Sequence, residues 1–344
     1  MPVTAAGATT PADLAPRVFS TAGLPAARRV ELWETHNASA LIGLDVRAAS
    51  PLEAAEVNVR LPHARLARVR GSAHEVERTQ AVIGRSPAGS IAVYLTLRGD
   101  AWFTNSGGTR QLRPGDALVC ATDRPFTRGF ARGLDELVVT VPWDAVSARA
   151  DVPLPEIPVI TRFTNPGTNP GAESGHYARA LARLTGRATR ADHPVPPDDR
   201  TVLDLVAVLA AGRGAARGTA RRAAAHCYIE EHLTDPGLGA DRIATAIGIS
   251  ERQLSRVFAA EGTSVPRHIL ARRLLLAHSV LSATGTQPMT VAEAAARCGF
   301  SSAAYFSHAF RQHFGLSASD VRRSAADGSQ SAADGSQSAA DGSF

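Results

Sequence analysis

The sequence contains no lysine; all 37 of its basic residues are arginine. Set beside its abundant alanine, this reads as the coding bias of a GC-rich genome, so arginine number alone is no sign of phosphate binding. Cysteine is scarce too. Cys120, Cys227 and Cys298 stand far apart with no CxxC pair, which excludes a zinc ribbon or redox dithiol and leaves each as a small apolar residue. No run of about eighteen apolar residues occurs, so no membrane-spanning helix is expected. The start of the chain lacks a basic stretch followed by an apolar core, so no secretory leader is expected. These absences point to a cytoplasmic protein with no membrane partner.

What is present suits a soluble chain of two ordinary domains: 344 residues, 44% hydrophobic and 20% charged. The formal net charge of +5 favours a polyanionic partner only weakly. Residues 1–24 are rich in Ala, Thr and Pro and read as a flexible N-terminus. The segment 25–38 reads as a first helix, with Pro25 early and Val30 and Trp33 on one face. From about 40 to 142, short runs such as LIGLDV, AEVNVRL, IAVYLTL, DALVCA and DELVVTV alternate with Gly, Pro, Asp and Asn, the pattern of a β-sandwich or barrel. The segments 105–108 and 113–116 read as tight turns. In AEVNVRL, Val57, Val59 and Leu61 offer one face to a core or pocket.

A proline-rich connection follows at 150–171, then helical stretches near 174–190 and 199–211. Their apolar stripes, Leu181 with Leu184 and Leu203 with Val206 and Leu209, need a partner, either the β-domain or a second copy of the chain. Residues 212–218 read as a linker. The last 21 residues run SAADGSQ, SAADGSQ, SAADGSF. The unit has no large apolar residue before Phe344, so 324–344 is expected to be disordered.

Residues 219–323 read as helical and contain an internal repeat. The first copy, Ile243 to Ser250, is followed by Leu254 and Phe258. The second, Ala294 to Ser302, is followed by Phe306 and Phe310. In each, a small residue (Ala244, Ala295) lets two helices cross closely, and a glycine (Gly248, Gly299) tolerates positive φ at the turn. An apolar plug (Ile249, Phe300) follows, and then a serine to cap the second helix. Capping boxes are expected at Ser250 with Gln253 and at Thr290 with Glu293, and a cap at Ser264 for the long helix between the copies. This is the logic of two helix-turn-helix units, at about 240–261 and 291–314. A single long helix between them can set two reading helices about one duplex turn, ~34 Å, apart.

The string VAEAAARCGFSSAAYFSHAFRQHFGLSASDVRR resembles the second-half signature of AraC/XylS transcription regulators, and ARRLLLAHSVL resembles their linker helix. Ala318 and Val321 stand where that family usually has Pro and Tyr. The resemblance implies base-reading positions at Arg252, Ser255 and Arg256 in the first recognition helix and at Ala303, Ala304 and His308 in the second. An arginine can bridge guanine O6 and N7, whereas the alanines offer only methyl contact. Arg267, Arg273 and Arg311 are candidates either for phosphate contact or for structural pairing.

Residues 25–150 are similar to the cupin-like sensor domain of the same family, with Trp33, the Gly115-Asp116 turn and Val141-Pro142-Trp143 as landmarks of its XylS-like subgroup. The overall expectation is an α+β two-domain protein. Its N-terminal half is a β-sandwich or cupin-like barrel with flanking helices, joined through 151–211 to an all-α DNA-binding domain. The resemblance implies a ligand-responsive activator with double-stranded DNA, RNA polymerase and a small organic inducer as partners, and the apolar stripes of 174–211 offer a surface for a homodimer. The inducer's binding residues are unassigned, with an aromatic or related acid the leading class and arginines such as Arg60, Arg65 or Arg68 able to meet it. One alternative is a constitutive DNA binder. Another is a cupin-type metal enzyme, which requires two histidines one residue apart. No His-x-His occurs, His63 and His74 are isolated, and neither a nucleophile with a placed base nor a phosphate loop is evident. No catalytic residue, metal ligand or cofactor is therefore assigned.

Overall fold

The computed structural model describes residues 15–149, 154–164, 172–190, 194–212, 217–283 and 289–325. The repeat tail beyond 325, the linker residues 213–216 and residues 1–14 lie outside them. The chain divides into two compact units, residues 1–190 with 196–224, and residues 191–195 with 225–344.

The strands of the first unit are β1 (Arg17–Ser20), β2 (Asp45–Arg47), β3 (Ala54–Arg60), β4 (Arg65–Gly71), β5 (His74–Arg78) and β6 (Ser90–Arg98). They continue with β7 (Ala101–Asn105), β8 (Gly108–Leu112), β9 (Asp116–Ala121), β10 (Phe126–Phe130), β11 (Leu134–Pro142) and β12 (Val159–Arg162). Among the described residues they form a seven-stranded sheet, β1-β3-β4-β11-β6-β9-β12, and a five-stranded sheet, β2-β5-β10-β7-β8. The pairings are antiparallel, and neither sheet closes on itself, so the sandwich expectation holds and the barrel does not. The helices of this unit are α1 (Arg29–Ala40), α2 (Gln80–Arg85), α3 (Trp143–Ser147), α4 (Ala172–Ala188) and α5 (Asp199–Ala211).

The larger sheet is covered on both faces. One face presents Ala67, Tyr94, Leu118 and Val138 to Val76, Phe103, Phe126 and Phe130 of the smaller sheet, with Trp33 of α1 completing the core. The other carries Leu66, Val93, Leu95, Val119 and Val139, all buried, on the side where α4 and α5 pack. Double burial explains why β6, β9 and β11 read as nearly continuous apolar runs instead of alternating ones. Because α5 is buried from Thr201 to Ala210, its apolar stripe finds its partner inside its own unit.

The two expected turns are present. The Gly107 N–H donates to Asn105 Oδ1 and Gly108 takes φ +99°; at the second, the Asp116 N–H donates to the Arg113 carbonyl and the Arg113 N–H to the Asp116 carboxylate. Three expectations need correction. The segment 1–24 is not wholly loose, because Arg17–Ser20 pairs with β3. The connection at 150–171 contributes β12 to a sheet edge. The first helix starts at Arg29, after a 3-10 turn at Ala26–Arg28. The face offered by Val57, Val59 and Leu61 is in place, with Val59 and Leu61 buried and Val57 half-buried. It is turned away from the smaller sheet: the register pairs Asn58 with Ala67 and Glu56 with Val69, which sets Ala54, Glu56 and Asn58 toward the intersheet core.

The second unit is helical: α6 (Arg217–His232), within which the division after Ala224 falls, then α7 (Ala240–Ala246), α8 (Glu251–Ala260), α9 (Val265–Leu281), α10 (Val291–Arg297), α11 (Ala303–Phe314) and a last helix over 318–325. It has two cores that share α9. Val265 and Ile269 pack with Ile229, Ile243, Leu254 and Phe258, whereas Leu274, Ala277 and Leu281 pack with Ala295, Phe300, Phe306 and Phe310. Ala318 and Val321, the two departures from the family pattern, are buried in the second core. All three cysteines are free; Cys120 and Cys298 are buried and Cys227 is half-buried, and burial pushes each thiol up to about 12.

Candidate nucleic-acid interface

Each half of the repeat folds as two helices joined by a glycine turn. Gly248 takes φ +68° and Gly299 φ +84°. The following N–H reaches back five residues, Ile249 to the Ala244 carbonyl and Phe300 to the Ala295 carbonyl, which closes the end of the first helix. Ser250 and Gln253 form a reciprocal capping box at the start of α8, as do Thr290 and Glu293 at α10, and Ser302 caps α11 through the Tyr305 N–H. Ser264 occupies the first position before α9 but makes no side-chain cap bond; Pro266 in the first turn of α9 has no N–H to offer.

Caps and turns leave α8 and α11 strongly two-faced. Leu254 and Phe258 of α8 are fully buried, and so are Phe306 and Phe310 of α11. Their opposite faces are exposed: Arg252, Ser255 and Arg256 on α8, and Ala303, Ala304 and His308 on α11. Arg252 and Arg256 lie one turn apart, so two forked donors project from one stripe. The α11 surface is chemically poorer, with one addition that the sequence reading missed. Tyr305 stands beside the two alanines with more than half its surface exposed (55%). An aromatic residue three positions after a cap reads as core until the direction of the inward stripe is fixed by Phe306 and Phe310.

The three further arginines separate. Arg267 and Arg311 are exposed. Arg273 is half-buried, and its guanidinium donates to the Leu233 carbonyl at 2.9 Å and the Asp235 carbonyl at 2.6 Å. It caps the end of α6, so the pairing alternative accounts for its bonds. Arg272 is buried against Glu230 of α6 through both guanidinium and carboxylate arms.

The first unit holds a second concentration of polar groups. Arg128 of β10 reaches between the sheets to Glu136 of β11 in a bidentate pair, 3.0 and 2.7 Å, with its guanidinium 3.8 Å from the Tyr94 ring centre. Both partners are buried. Beside them is an internal cavity of only about 40 Å³, lined by Trp33, His74, Tyr94 and Leu134 among others. That is room for a few waters and not for an organic ligand. A larger cleft of about 410 Å³ opens at one end of the sandwich, where Arg60 and Arg65 meet the C-terminal end of α1. Arg68, by contrast, is spent in a bidentate pair with Asp135.

Comparison with known proteins gives two family matches: an AraC-binding-like domain over residues 33–234 and a helix-turn-helix domain over residues 243–324. The transcriptional activator NphR of Rhodococcus sp is 27% identical over 270 residues, 74% of this chain and 76% of its own length. The transcriptional activator RhrA of Rhizobium meliloti (strain 1021) is 35% identical over 103 residues, 30% of this chain, and the match spans about a third of RhrA (32%). The crystal structure of the AraC-like transcriptional activator CuxR aligns with 76% of this chain and 95% of its own, at 20% identity and a TM-score of 0.43. Among the described residues no helix is long and apolar enough to cross a membrane. With the AraC-binding-like match covering more than half of the chain and a helix-turn-helix match beyond it, the chain belongs to the AraC family of transcription regulators.

Proposed function

We propose that the protein is a ligand-responsive transcriptional activator that reads two adjacent major-groove segments with α8 and α11. The observation that carries this is the pair of helices whose inward stripes are buried and whose outward stripes, Arg252/Ser255/Arg256 and Ala303/Ala304/His308, are open. Arg252 and Arg256 take the guanine-reading role; Arg267 and Arg311 take phosphate. Promoter DNA and RNA polymerase are its macromolecular partners, a small organic inducer its ligand, and the cytoplasm its location. A homodimer through 174–211 has less support, because α5 is already buried in its own unit. An enzymatic role is no part of this reading. His63 is bonded to Asp199 and His74 to the Ser72 carbonyl, and the sequence has no His-x-His pair.

Footprinting of the full chain on its own upstream DNA, followed by a base-substitution scan, tests the assignment. Arg256→Ala is expected to cost about 1–3 kcal/mol and to relax preference at a single base pair. A loss spread evenly over every sequence would reject base reading by Arg256 and leave it a phosphate contact.

A further inference from the structure

Glu56 of β3 is a buried acid that the surrounding protein does not satisfy. It is fully buried (0% exposed), and among the described residues neither of its carboxylate oxygens accepts a hydrogen bond. A carboxylate taken out of water is paired, hydrogen-bonded or bound to a metal. Two other polar groups stand beside it. His36 of α1 places Nε2 3.6 Å from Glu56 Oε1, beyond hydrogen-bond length. Asn58, two residues further along β3 and on the same face, sets its amide nitrogen 3.0 Å from that Nε2. The Asn58 amide oxygen is buried and accepts no hydrogen bond. Protonating His36 does not resolve the cluster, because one Nε2–H faces three oxygens without donors. Turning the Asn58 amide over gives that N–H an acceptor and leaves both Glu56 oxygens as they were. The imidazole is also held in position. Phe19 of β1 is opposite Glu56 in the ladder, and its ring stacks on His36 at 4.2 Å and 8°. Glu34 accepts from the Val46 N–H, which anchors α1 to β2 independently of His36.

We propose that His36, Glu56 and Asn58 bind a divalent first-row transition-metal ion through the imidazole Nε2, the carboxylate and the amide oxygen. Two donor atoms each about 2.1 Å from one metal stand roughly 3–3.6 Å apart. The separations of 3.0 Å and 3.6 Å about Nε2 match that spacing once the Asn58 amide is turned over. The ion supplies the positive charge that Glu56 lacks, and it takes up lone pairs that no donor uses. One nitrogen and two oxygen donors without a thiolate suit zinc, nickel or cobalt. Magnesium and calcium prefer shells made of oxygen alone. The His36 side chain is 19% exposed, which gives the ion an entry and room for water to complete its shell. Because the ligands come from α1 and β3, the ion ties the first helix to the larger sheet.

The test is calorimetry and thermal melting of the full chain, stripped with a chelator and then titrated with Zn²⁺, Ni²⁺ or Co²⁺, with Mg²⁺ as the oxygen-preferring control. One equivalent of a transition metal should bind and raise the melting temperature, and Mg²⁺ should do neither. Bound Co²⁺ should give a visible ligand-field band without thiolate charge transfer, which separates this site from the three cysteines. His36→Gln and Glu56→Gln should each weaken binding by more than the roughly 10–100-fold that loss of an outer-shell partner costs. Asn58→Asp puts an anionic ligand in the same place and should tighten binding by about tenfold. Glu56→Gln serves as the second measurement if His36→Gln folds poorly. It removes the uncompensated charge, so the stripped variant should melt above the stripped wild type and gain nothing from metal. One-equivalent binding that survives both His36→Gln and Glu56→Gln overturns the site. Equal binding of Mg²⁺ and Zn²⁺ overturns the class of ion. If none of the three transition metals binds the stripped wild type, the proposal fails outright and Glu56 is left as a buried acid answered by His36 alone.

Discussion

Gly299 and Arg273 meet at the second helix-turn-helix: a Cβ built on Gly299 would stand 3.0 Å from Arg273 Nε, and also 3.0 Å from the Leu233 and Thr234 carbonyls. Gly248, its counterpart in the first unit, has nothing within 4 Å. Both take positive φ, so both lose about 1–2 kcal/mol to backbone strain on substitution by alanine. Only Gly299→Ala also displaces the guanidinium that caps α6. Gly248→Ala should therefore cost about 1–2 kcal/mol, and Gly299→Ala about 1–3 kcal/mol more. Chemical denaturation of the two variants checks this, and equal losses would sink the claim that the second turn is packed against α6.

The buried Arg128–Glu136 pair makes a different kind of prediction. Removing one partner leaves a buried charge alone, so Arg128→Met should cost about 3–5 kcal/mol. The double change with Glu136→Leu should recover most of that loss, since a buried pair replaced by apolar groups of similar size is close to neutral. Urea unfolding of the two variants decides it. A double variant no more stable than Arg128→Met would mean that the stacking of Arg128 on Tyr94 and Phe130, and not the pair, holds this part of the core.

Such a pair also marks where the sequence stops being legible. The helix-turn-helix half could be read almost residue by residue, because Gly248, Gly299 and their caps act locally. So could β6, β9 and β11, whose apolar runs are long. Short polar strands escaped: HEVER became β5, FTRGF β10 and VITR β12. Each is held by its neighbours in the sheet and not by its own pattern. Buried arginines escaped for a related reason. Arg78 is fully buried and donates to the Gly43, Ser86 and Thr122 carbonyls and to Asp123, four partners spread over 80 residues of the sequence. In a chain whose basic residues are all arginine, nothing in the pattern distinguishes Arg78, Arg128 or Arg272 from those at the surface.

His74 links this core to pH. Burial is the largest influence on it and pulls its pKa below the ordinary histidine value, against the opposing effects of its bond to the Ser72 carbonyl and of Glu136. The unfolded chain therefore takes up this proton first as pH falls through about 6.5. Stability contributed by the neutral ring is present above that pH and is lost below it, until the folded protein is protonated too. Between pH 7.5 and 5.5 the urea midpoint of the wild type should fall, and that of His74→Gln should fall less. Carboxylates held low in the folded state, such as Asp123, contribute only at lower pH. An identical fall in the two proteins would assign the pH response elsewhere.

The two recognition helices should discriminate unequally. The α8 stripe carries two arginines, each able to form a bidentate contact worth about 1–3 kcal/mol against a wrong base. The α11 stripe has Ala303 and Ala304, with His308 as its only ionisable group among the three assigned positions. Methyl groups favour thymine by apolar contact but reject other bases weakly. The exposed Tyr305 is the largest group on that surface. Its ring can pack on a thymine methyl or a sugar, and its hydroxyl can donate to phosphate. A base-by-base substitution scan of the protected DNA should show steep penalties, about 1–3 kcal/mol per pair, across the segment under α8 and shallower ones under α11. Tyr305→Ala should lower affinity with little change in that profile, whereas Ala304→Arg should sharpen discrimination in the α11 segment alone. Equal penalties over both segments would show that α11 reads bases through groups other than the two alanines, with His308 and Tyr305 as the residues to replace next.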